Sequence, residues 1–309
     1  MLNVFLALAA IAAVGAALHY LIPELDIDST RLQCGSLVLN VLLPALNIEV
    51  IYRSTAGRHQ WQIPLAMLLG MVVCVGIAIL AFRMFPIDRK LKSSLILGSA
   101  FGNVTYLGMP LLRGLFPEQL LHVTEIAILC EITVTSSDLI TGSLLDILHH
   151  EGARTSLTVA LIQVLKFPLL WSAAGAVIIR LLGIRLPDFL LMALHLLGQS
   201  TSGLMLLVLG MALKPSVMAG SLAKLKSWWP MLIVKLGISP LVVGLAASLV
   251  GLSALNLHAT TLEAAMPSQL FTFIVADRFG FDTELLAAAV ACMTVISLVT
   301  VPIVEHLLT

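Results

Sequence analysis

The sequence predicts an all-α integral membrane protein with ten transmembrane helices, arranged as two inverted five-helix repeats in which helices 4 and 9 are discontinuous. Composition is the first observation that predicts this fold. The 309 residues have a mean hydropathy of +1.05, and 11% are charged, against about 25% in soluble domains. The second observation is a succession of apolar runs of roughly 20 residues, the length that crosses a bilayer as a helix. The third is a proline at matching places in two of these runs.

The first apolar run, Leu2–Ile22, is interpreted as a span rather than a signal peptide. It is too long for a signal-peptide core and ends without a small-residue cleavage site. Loops are short, and the longest, about 214–228, joins spans seven and eight. The predicted spans cover about 2–22, 32–52, 61–85, 93–116, 120–145, 156–182, 188–213, 229–251, 259–277 and 284–307.

Span four contains an uncharged run, residues 101–111, that is rich in residues that weaken a helix. Glycine costs about 1 kcal/mol against alanine and proline about 3 in a helix interior. Pro110 also lacks the amide that would bond back to the carbonyl of Tyr106. In hydrocarbon, an interrupted backbone is tolerated only where protein surrounds it or where it lines a wet cavity. We therefore expect a discontinuous helix here, with its second half beginning near Leu111.

The second half of the chain repeats this feature in its fourth span. Five spans precede residue 150 and five follow, so residues 1–150 and 151–309 are predicted to be repeats. An odd number of spans per half makes the two halves run in opposite directions. Pro267 interrupts residues 261–279, as Pro110 interrupts span four. Paired broken helices in inverted repeats are typical of transporters that bind their solute near the midplane of the membrane.

Charge excludes some functions and sets the orientation. The formal net charge is zero, which does not favour nucleic-acid binding. With the N-terminus outside, the cytoplasmic loops hold ten Lys and Arg residues and the outer loops five, which predicts both termini outside. The four cysteines lie in apolar runs without metal-ligand spacing, and no phosphate-binding loop, zinc-protease or nucleophile-elbow motif occurs. We expect no metal, no cofactor and no enzymatic activity.

Three segments resemble the auxin efflux carrier family of membrane transport proteins. They are GNVTYLGMPLL (102–112), AAMPSQLFTFIVADRFGFD (264–282) and MTVISLVTVPI (293–303). The resemblance implies the ten-helix inverted-repeat fold, similar to that of bile acid/sodium symporters, with substrate bound where helices four and nine cross. It also implies that spans one, two, six and seven form one bundle. Bacterial members are associated with carboxylates such as malate or malonate, and plant members with auxin.

The expected substrate site lies around the two prolines. Each half-helix that begins at a break presents amides with about +0.5 charge, which favours an anion. The alternative is that the prolines merely kink packed helices. The resemblance and the polar residues beside the breaks give these candidate substrate-binding residues: Asn103, Tyr106, Pro110, Pro267, Ser268 and Gln269.

Ionisable residues inside spans are costly and mark candidate coupling groups. Glu131 and Asp138 lie seven residues apart on one face of span five, and Lys235 lies in span eight. The hypothesis is that Glu131 takes up a proton or acts as a gate, with Asp138 and Lys235 as further coupling or gating groups. The alternative is a structural carboxylate paired with a lysine such as Lys235.

The sequence thus predicts a secondary transporter that moves a small mono- or dicarboxylate by alternating access in a bacterial inner membrane. A sodium- or proton-coupled symporter or antiporter of the bile acid symporter type is one alternative, and a membrane receptor on the same fold is another. An intramembrane enzyme using Glu131 and Asp138 is disfavoured, since two turns separate these carboxyl groups by about 10 Å. Expected partners are the anion, the bilayer, H⁺ or Na⁺, and a second copy in a homodimer.

Overall fold

The computed structural model describes residues 2–53, 60–149, 162, 165–166, 168–212, 225–269 and 271–309. The regular secondary structure in these ranges is helical, with one isolated β-bridge between Gly102 and Ser268. The helices are α1 Leu2–Leu21, α2 Ile27–Arg53, α3 Gln62–Arg83, α4 Arg89–Ala100, α5 Met109–Leu115, α6 Leu120–His149, α7 Pro168–Leu181, α8 Asp188–Ala212, α9 Leu225–Leu249, α10 Ala254–Ala265, α11 Phe271–Arg278 and α12 Glu284–Leu308.

Five of these helices are long and apolar enough to cross a membrane, among the residues described. They include all of α2, α3 and α9, most of α8 (Asp188–Met211) and most of α12 (Leu285–Leu308). Two shorter apolar helices cover Leu6–Leu18 and Pro168–Leu181. The all-helical membrane fold is therefore confirmed, and described helical residues lie within each predicted span. The arrangement as ten spans in two inverted repeats, 1–150 and 151–309, stays a prediction.

Within the part of the chain that the structure describes, three helical segments widen to a π-helix, and each of the three ends two residues before a proline. The segments are Val38–Leu42 in α2, Val104–Gly108 before α5 and Ile233–Ile238 in α9. The prolines that follow them are Pro44, Pro110 and Pro240. A proline ring collides with the carbonyl four residues earlier, and a wider turn moves that carbonyl away. The chain thus continues as a helix through these prolines.

One compact unit comprises residues 1–57, 105–128 and 165–213. In it, α1 lies against α8 so closely that a Cβ at Gly210 would overlap the backbone of Ala12. Helix α2 is tied to α7 because Asn47 Nδ2 donates to the carbonyl of Leu169 at 3.1 Å.

Helix α2 of this unit is also tied to α8. Glu49 Oε1 lies 2.8 Å from Nδ1 of His195. It lies 3.4 Å from Nε of Arg53 as well. Both contacts involve a carboxylate that is 8% exposed, so they are shielded from water more than a surface ion pair is.

The other compact unit comprises residues 58–104, 129–164 and 214–309, of which 58–59, 150–161, 163–164, 214–224 and 270 are not described. In it, α3 packs on α9, where Gly70 faces Val243. Helix α6 packs on α11, where Gly142 faces Val275 and Phe279. Both contacts use a glycine to bring a neighbouring side chain onto the helix backbone, as is typical of packing in membranes.

The division into two compact units agrees in part with the family resemblance, which implies that spans one, two, six and seven form one bundle. The helices of spans one, two, six and seven share the first unit, as expected. Residues 105–128, however, group with them and not with the remaining helices. The reason is that α5, which lies in this stretch, packs against α1 and α8.

We expect Gly210→Ala to lower the thermal stability of the purified protein by about 1–3 kcal/mol, the usual cost of overpacking. The added methyl group would overlap the main chain of α1, which has no flexible side chain to move away. Gly203→Ala on the same helix is the matched control, since no heavy atom lies within 4 Å of a Cβ there. Thermal unfolding of both variants in detergent checks this, and equal melting temperatures would contradict the close packing.

Candidate functional site

The first helix break lies at Phe101–Asn103. Helix α4 ends at Ala100, and Phe101 is extended, with φ −101° and ψ 118°. Helical geometry resumes at Val104 and runs through the π-helical segment into α5. The break therefore lies several residues before Pro110, and the expectation that the second half-helix begins near Leu111 is wrong. The π-helical turn accommodates Pro110 within the helix, so proline does not force the break.

The second helix break lies between α10 and α11 and contains Pro267. Helix α10 ends at Ala265, and Met266 is extended, with φ −61° and ψ 147°. Helix α11 begins at Phe271. Here the interruption falls at the proline, as expected. Extended geometry also suits Met266, since a residue before proline is biased away from the helical region.

The two breaks pair with each other through their main chains. The N–H of Asn103 donates to the carbonyl of Pro267 at 2.7 Å, and the N–H of Gln269 donates to the carbonyl of Phe101 at 3.0 Å. Gly102 and Ser268 stand opposite each other between these two bonds. In hydrocarbon, no water is present to satisfy a broken backbone. Each break therefore supplies a carbonyl that accepts from the other, and the amides of Asn103 and Gln269 are bonded within the protein.

Small residues allow the two breaks to approach. A Cβ at Gly102 would lie 3.1 Å from Nζ of Lys235 and 3.2 Å from the carbonyl oxygen of Glu263. The hydroxyl of Ser268 donates to the carbonyl of Gly98. That carbonyl lies in the last turn of α4, where the helix leaves carbonyls without an internal partner. Ser268 is fully buried. Its hydroxyl thus satisfies a carbonyl at the end of α4 that water does not reach.

Asp138 forms hydrogen bonds with two residues that follow Pro267 in the second break and in α11. It is fully buried in α6. Its Oδ2 accepts from Nε2 of Gln269 and from Oγ1 of Thr272, each at 2.7 Å. Hydrogen bonds to a carboxylate are shorter and stronger than neutral ones. Asp138 thus holds two side chains beside Pro267, one of them the amide group of Gln269. Its expected role as a coupling group, and that of Gln269 in substrate binding, stay predictions.

Lys235 caps the end of α10. It lies in the π-helical segment of α9 and is 1% exposed. Its Nζ donates to the carbonyl of Ala264 at 2.8 Å and to the hydroxyl of Ser239 at 3.1 Å. The hydroxyl of Ser239 donates to the same carbonyl at 3.0 Å. A cation is favourable at a helix C-terminus, where carbonyls are unpaired.

Three other predicted residues, Glu131, Tyr106 and Pro110, do not belong to the paired residues of the two breaks. Glu131 is buried, and its Oε1 accepts from Oγ1 of Thr135 one turn further along α6 at 2.8 Å. Tyr106 and Pro110 belong to the first compact unit, and both are buried there. The hydroxyl of Tyr106 lies beside α2, 3.6 Å from the position of a Cβ at Gly35. Their roles in substrate binding stay predictions.

Sequence reasoning missed Glu263. It lies in the last turn of α10 and is fully buried. Both carboxyl oxygens lack a hydrogen-bond partner among the described residues. The available signal was a charged residue within predicted span nine, a position that is functional by default in a membrane protein.

Comparison with known proteins assigns the family. The model of a family described as "Membrane transport protein" matches residues 27–304. The chain belongs to this family. The match confirms the resemblance to auxin efflux carriers, and this membrane transport protein is a multi-pass protein of a lipid bilayer.

Two archaeal relatives carry the name of transporters. An uncharacterized transporter of Methanocaldococcus jannaschii is 24% identical over 276 residues, which cover 86% of each chain. Another, from Methanothermobacter thermautotrophicus, is 27% identical over 275 residues, 86% of this chain and 85% of the relative. The names indicate transport and specify no substrate.

We expect Asp138→Ala to destabilise the transporter strongly. The change leaves the side chains of Gln269 and Thr272 buried without their acceptor, at about 1–3 kcal/mol for each unsatisfied group. Asp277→Ala on α11 is the matched control, because that side chain is exposed. Thermal unfolding measures both variants.

A double-mutant cycle with Thr272→Val tests the bond itself. The loss in Asp138→Ala and Thr272→Val together should be smaller than the sum of the single losses, because the residues share one bond. Additive losses would show that Asp138 does not act through Thr272.

Proposed function

We propose that this membrane transport protein is a secondary transporter that moves a small organic anion, a mono- or dicarboxylate, by alternating access. The observation that carries the proposal is the pairing of two helix breaks in a chain of apolar helices. Irregular backbone at membrane depth occurs where protein encloses it or where it lines a cavity, and in transporters it forms the substrate site. The family and the named relatives support transport as the activity.

The helix ends beside the breaks favour a negatively charged substrate. One helical segment begins at Val104 and another, α11, begins at Phe271, each directly after a break. The first-turn amides of a helix carry partial positive charge and point away from the helix. The ammonium group of Lys235 adds a full positive charge beside Gly102. A carboxylate of a small solute fits this setting.

The predicted site residues divide into two groups in this proposal. Ser268 and Gln269 use their side chains to hold the breaks, so with Pro267 they shape the site. Asn103 contacts the solute through its amide group, and Tyr106 and Pro110 keep their predicted roles in substrate binding. All of them are buried, as groups at an occluded site are.

The remaining parts of the proposal follow the sequence analysis. The protein spans the bacterial inner membrane ten times, as two inverted repeats, with both termini outside. Energy comes from a gradient of H⁺ or Na⁺, because the sequence carries no nucleotide-binding motif, and no enzymatic step is assigned. Buried carboxylates near the breaks favour the coupled alternative, in which the anion moves together with a cation. A homodimer is the assembly that related folds suggest.

A thermal-shift screen of the purified protein with mono- and dicarboxylates tests binding. A ligand that binds the folded state at 100 times its dissociation constant stabilises it by about 2.7 kcal/mol. We expect malate or malonate to raise the melting temperature of the wild type and to have no effect on Asn103→Ala. Asn40→Ala is the control, because Asn40 is exposed and its Nδ2 bonds only within its own turn, to Ser36.

Uptake of the same acid, radiolabelled, into proteoliposomes separates a carrier from a receptor. A carrier accumulates or exchanges the label, whereas a receptor on this fold binds the acid without moving it. Absence of binding by every acid tested would remove the anion assignment, and binding without movement would favour the receptor.

A further inference from the structure

Glu263 is a buried acidic group whose carboxyl oxygens have no hydrogen-bond partner among the described residues. It lies in the last turn of α10, directly before the second break, and is fully buried. Neither carboxyl oxygen has a hydrogen-bond partner within the ranges that the structure describes. The hydroxyls of Thr260 and Thr261 on the same helix are also buried, and no partner for either lies in those ranges.

Three other buried carboxylates of this unit, those of Asp138, Glu131 and Glu305, differ in this respect. Asp138 receives two strong hydrogen bonds from the second break. Glu131 receives one from Thr135. Glu305 on α12 lies 2.6 Å from Nε2 of His258. Each of the three therefore has at least one carboxyl oxygen in a hydrogen bond, whereas Glu263 has neither oxygen bonded among the described residues.

Charged and titratable groups reach Glu263 from three neighbouring helices. Lys235 of α9 interacts with it electrostatically, and the ammonium group of Lys235 and the carbonyl oxygen of Glu263 both lie near Gly102. From α6, Glu131 interacts with it as a like charge, and the thiol of Cys130 lies within the same electrostatic environment. Helix α3 contributes Cys74, which interacts with Lys235.

Helix α12 also packs on α10. Its Glu305 is bonded to His258, more than a turn from Glu263 on α10. The groups that act on the charge of Glu263 are therefore Lys235, which favours the ionised form, and Glu131, which opposes it.

Burial decides the state of this carboxyl group. An ionised carboxylate without donors in an apolar interior is far more costly than a neutral acid. The ammonium group of Lys235 compensates only in part, because its own hydrogen bonds go to Ala264 and Ser239. The arrangement suits a group that is protonated when enclosed.

We propose that Glu263 is the proton-binding group that couples transport to the proton gradient. In the enclosed conformation it is a neutral acid. When alternating access opens the region to water, its O–H bond breaks, the proton passes to a water molecule and the electron pair stays on the carboxylate. Lys235 then faces a full negative charge and compensates it. This assignment rests on the proposed transport function and moves the coupling role from Glu131 to Glu263.

Infrared difference spectroscopy of the purified full chain tests the protonation without any substrate. A step in pH should produce a band of a protonated carboxyl group that titrates and that is absent in Glu263→Gln. Glu118→Gln is the matched control, because Glu118 is exposed in the turn Pro117–Gln119. If Glu263→Gln does not fold, the frequency of the band in Glu263→Asp decides. A shift supports the assignment, and an unchanged band overturns it.

Proteoliposomes loaded at one pH and diluted into another test the coupling, with radiolabelled malate as the probe. A difference of one pH unit corresponds to about 1.4 kcal/mol per proton, which is about tenfold accumulation for one proton per malate. We expect the wild type and Glu118→Gln to approach this value. Glu263→Gln should exchange malate across the membrane but should reach only about onefold accumulation.

Accumulation by Glu263→Gln equal to that of the wild type would overturn the proposal. So would accumulation driven by a sodium gradient together with no titrating band from Glu263. If malate is not transported at all, the proposed substrate is wrong. The infrared result then decides the protonation of Glu263 by itself.

Discussion

Everything at the centre of this protein depends on one constraint, that main-chain groups inside a membrane must find partners within the protein. Two helices are interrupted at the same place, and each supplies the acceptor that the other lacks. Two main-chain hydrogen bonds and the opposition of Gly102 and Ser268 form a short antiparallel contact in a chain that is otherwise helical where described. The other contacts around the site follow from it, because they satisfy the helix ends that the breaks create.

Those helix ends explain the polar residues that surround the breaks. The last turns of α4 and α10 have carbonyls without a hydrogen-bond partner in their own helix, and Ser268 and Lys235 donate to these carbonyls. The start of α11 is fixed by Thr272, which donates to Asp138 of α6. The Ser268 hydroxyl and the Lys235 ammonium group thus each donate to a particular carbonyl, and the Asp138 carboxylate accepts from a particular side chain. Glu263 has no such role among the described residues, which is why it stands out as a group with a different task.

Sequence patterns predicted the interruptions because they follow from local chemistry. Glycine, proline and small polar residues in an apolar run weaken a helix wherever they stand, and Pro267 marks its break correctly. Pro110 misled the prediction of the first break. The π-helical turn at Val104–Gly108 accommodates the ring of that proline, so the break moved to Gly102, where the absence of a side chain permits close approach. The position of the first break depends on packing against other segments, which the sequence of span four alone does not show.

The partners within the site could not be predicted for a related reason. Asp138 and Gln269 are 131 positions apart, and Lys235 and Ala264 are 29 apart. Hydropathy and helix propensity describe one segment at a time and do not show which charged residue will face which helix end. The same applies to Asp138, whose position on span five indicated a coupling group as readily as a structural one. The bonds of Asp138 to Gln269 and Thr272 become visible only in the folded structure.

The π-helical segments have a consequence for how related chains diverge. Each accommodates an extra residue in a turn, two positions before a proline. A relative without that proline has no use for the additional residue and can lose it without altering the faces of the helix on either side. Single-residue gaps in an alignment at these three places are therefore compatible with a conserved fold, whereas gaps within the regular helical stretches would turn lipid-facing side chains inward.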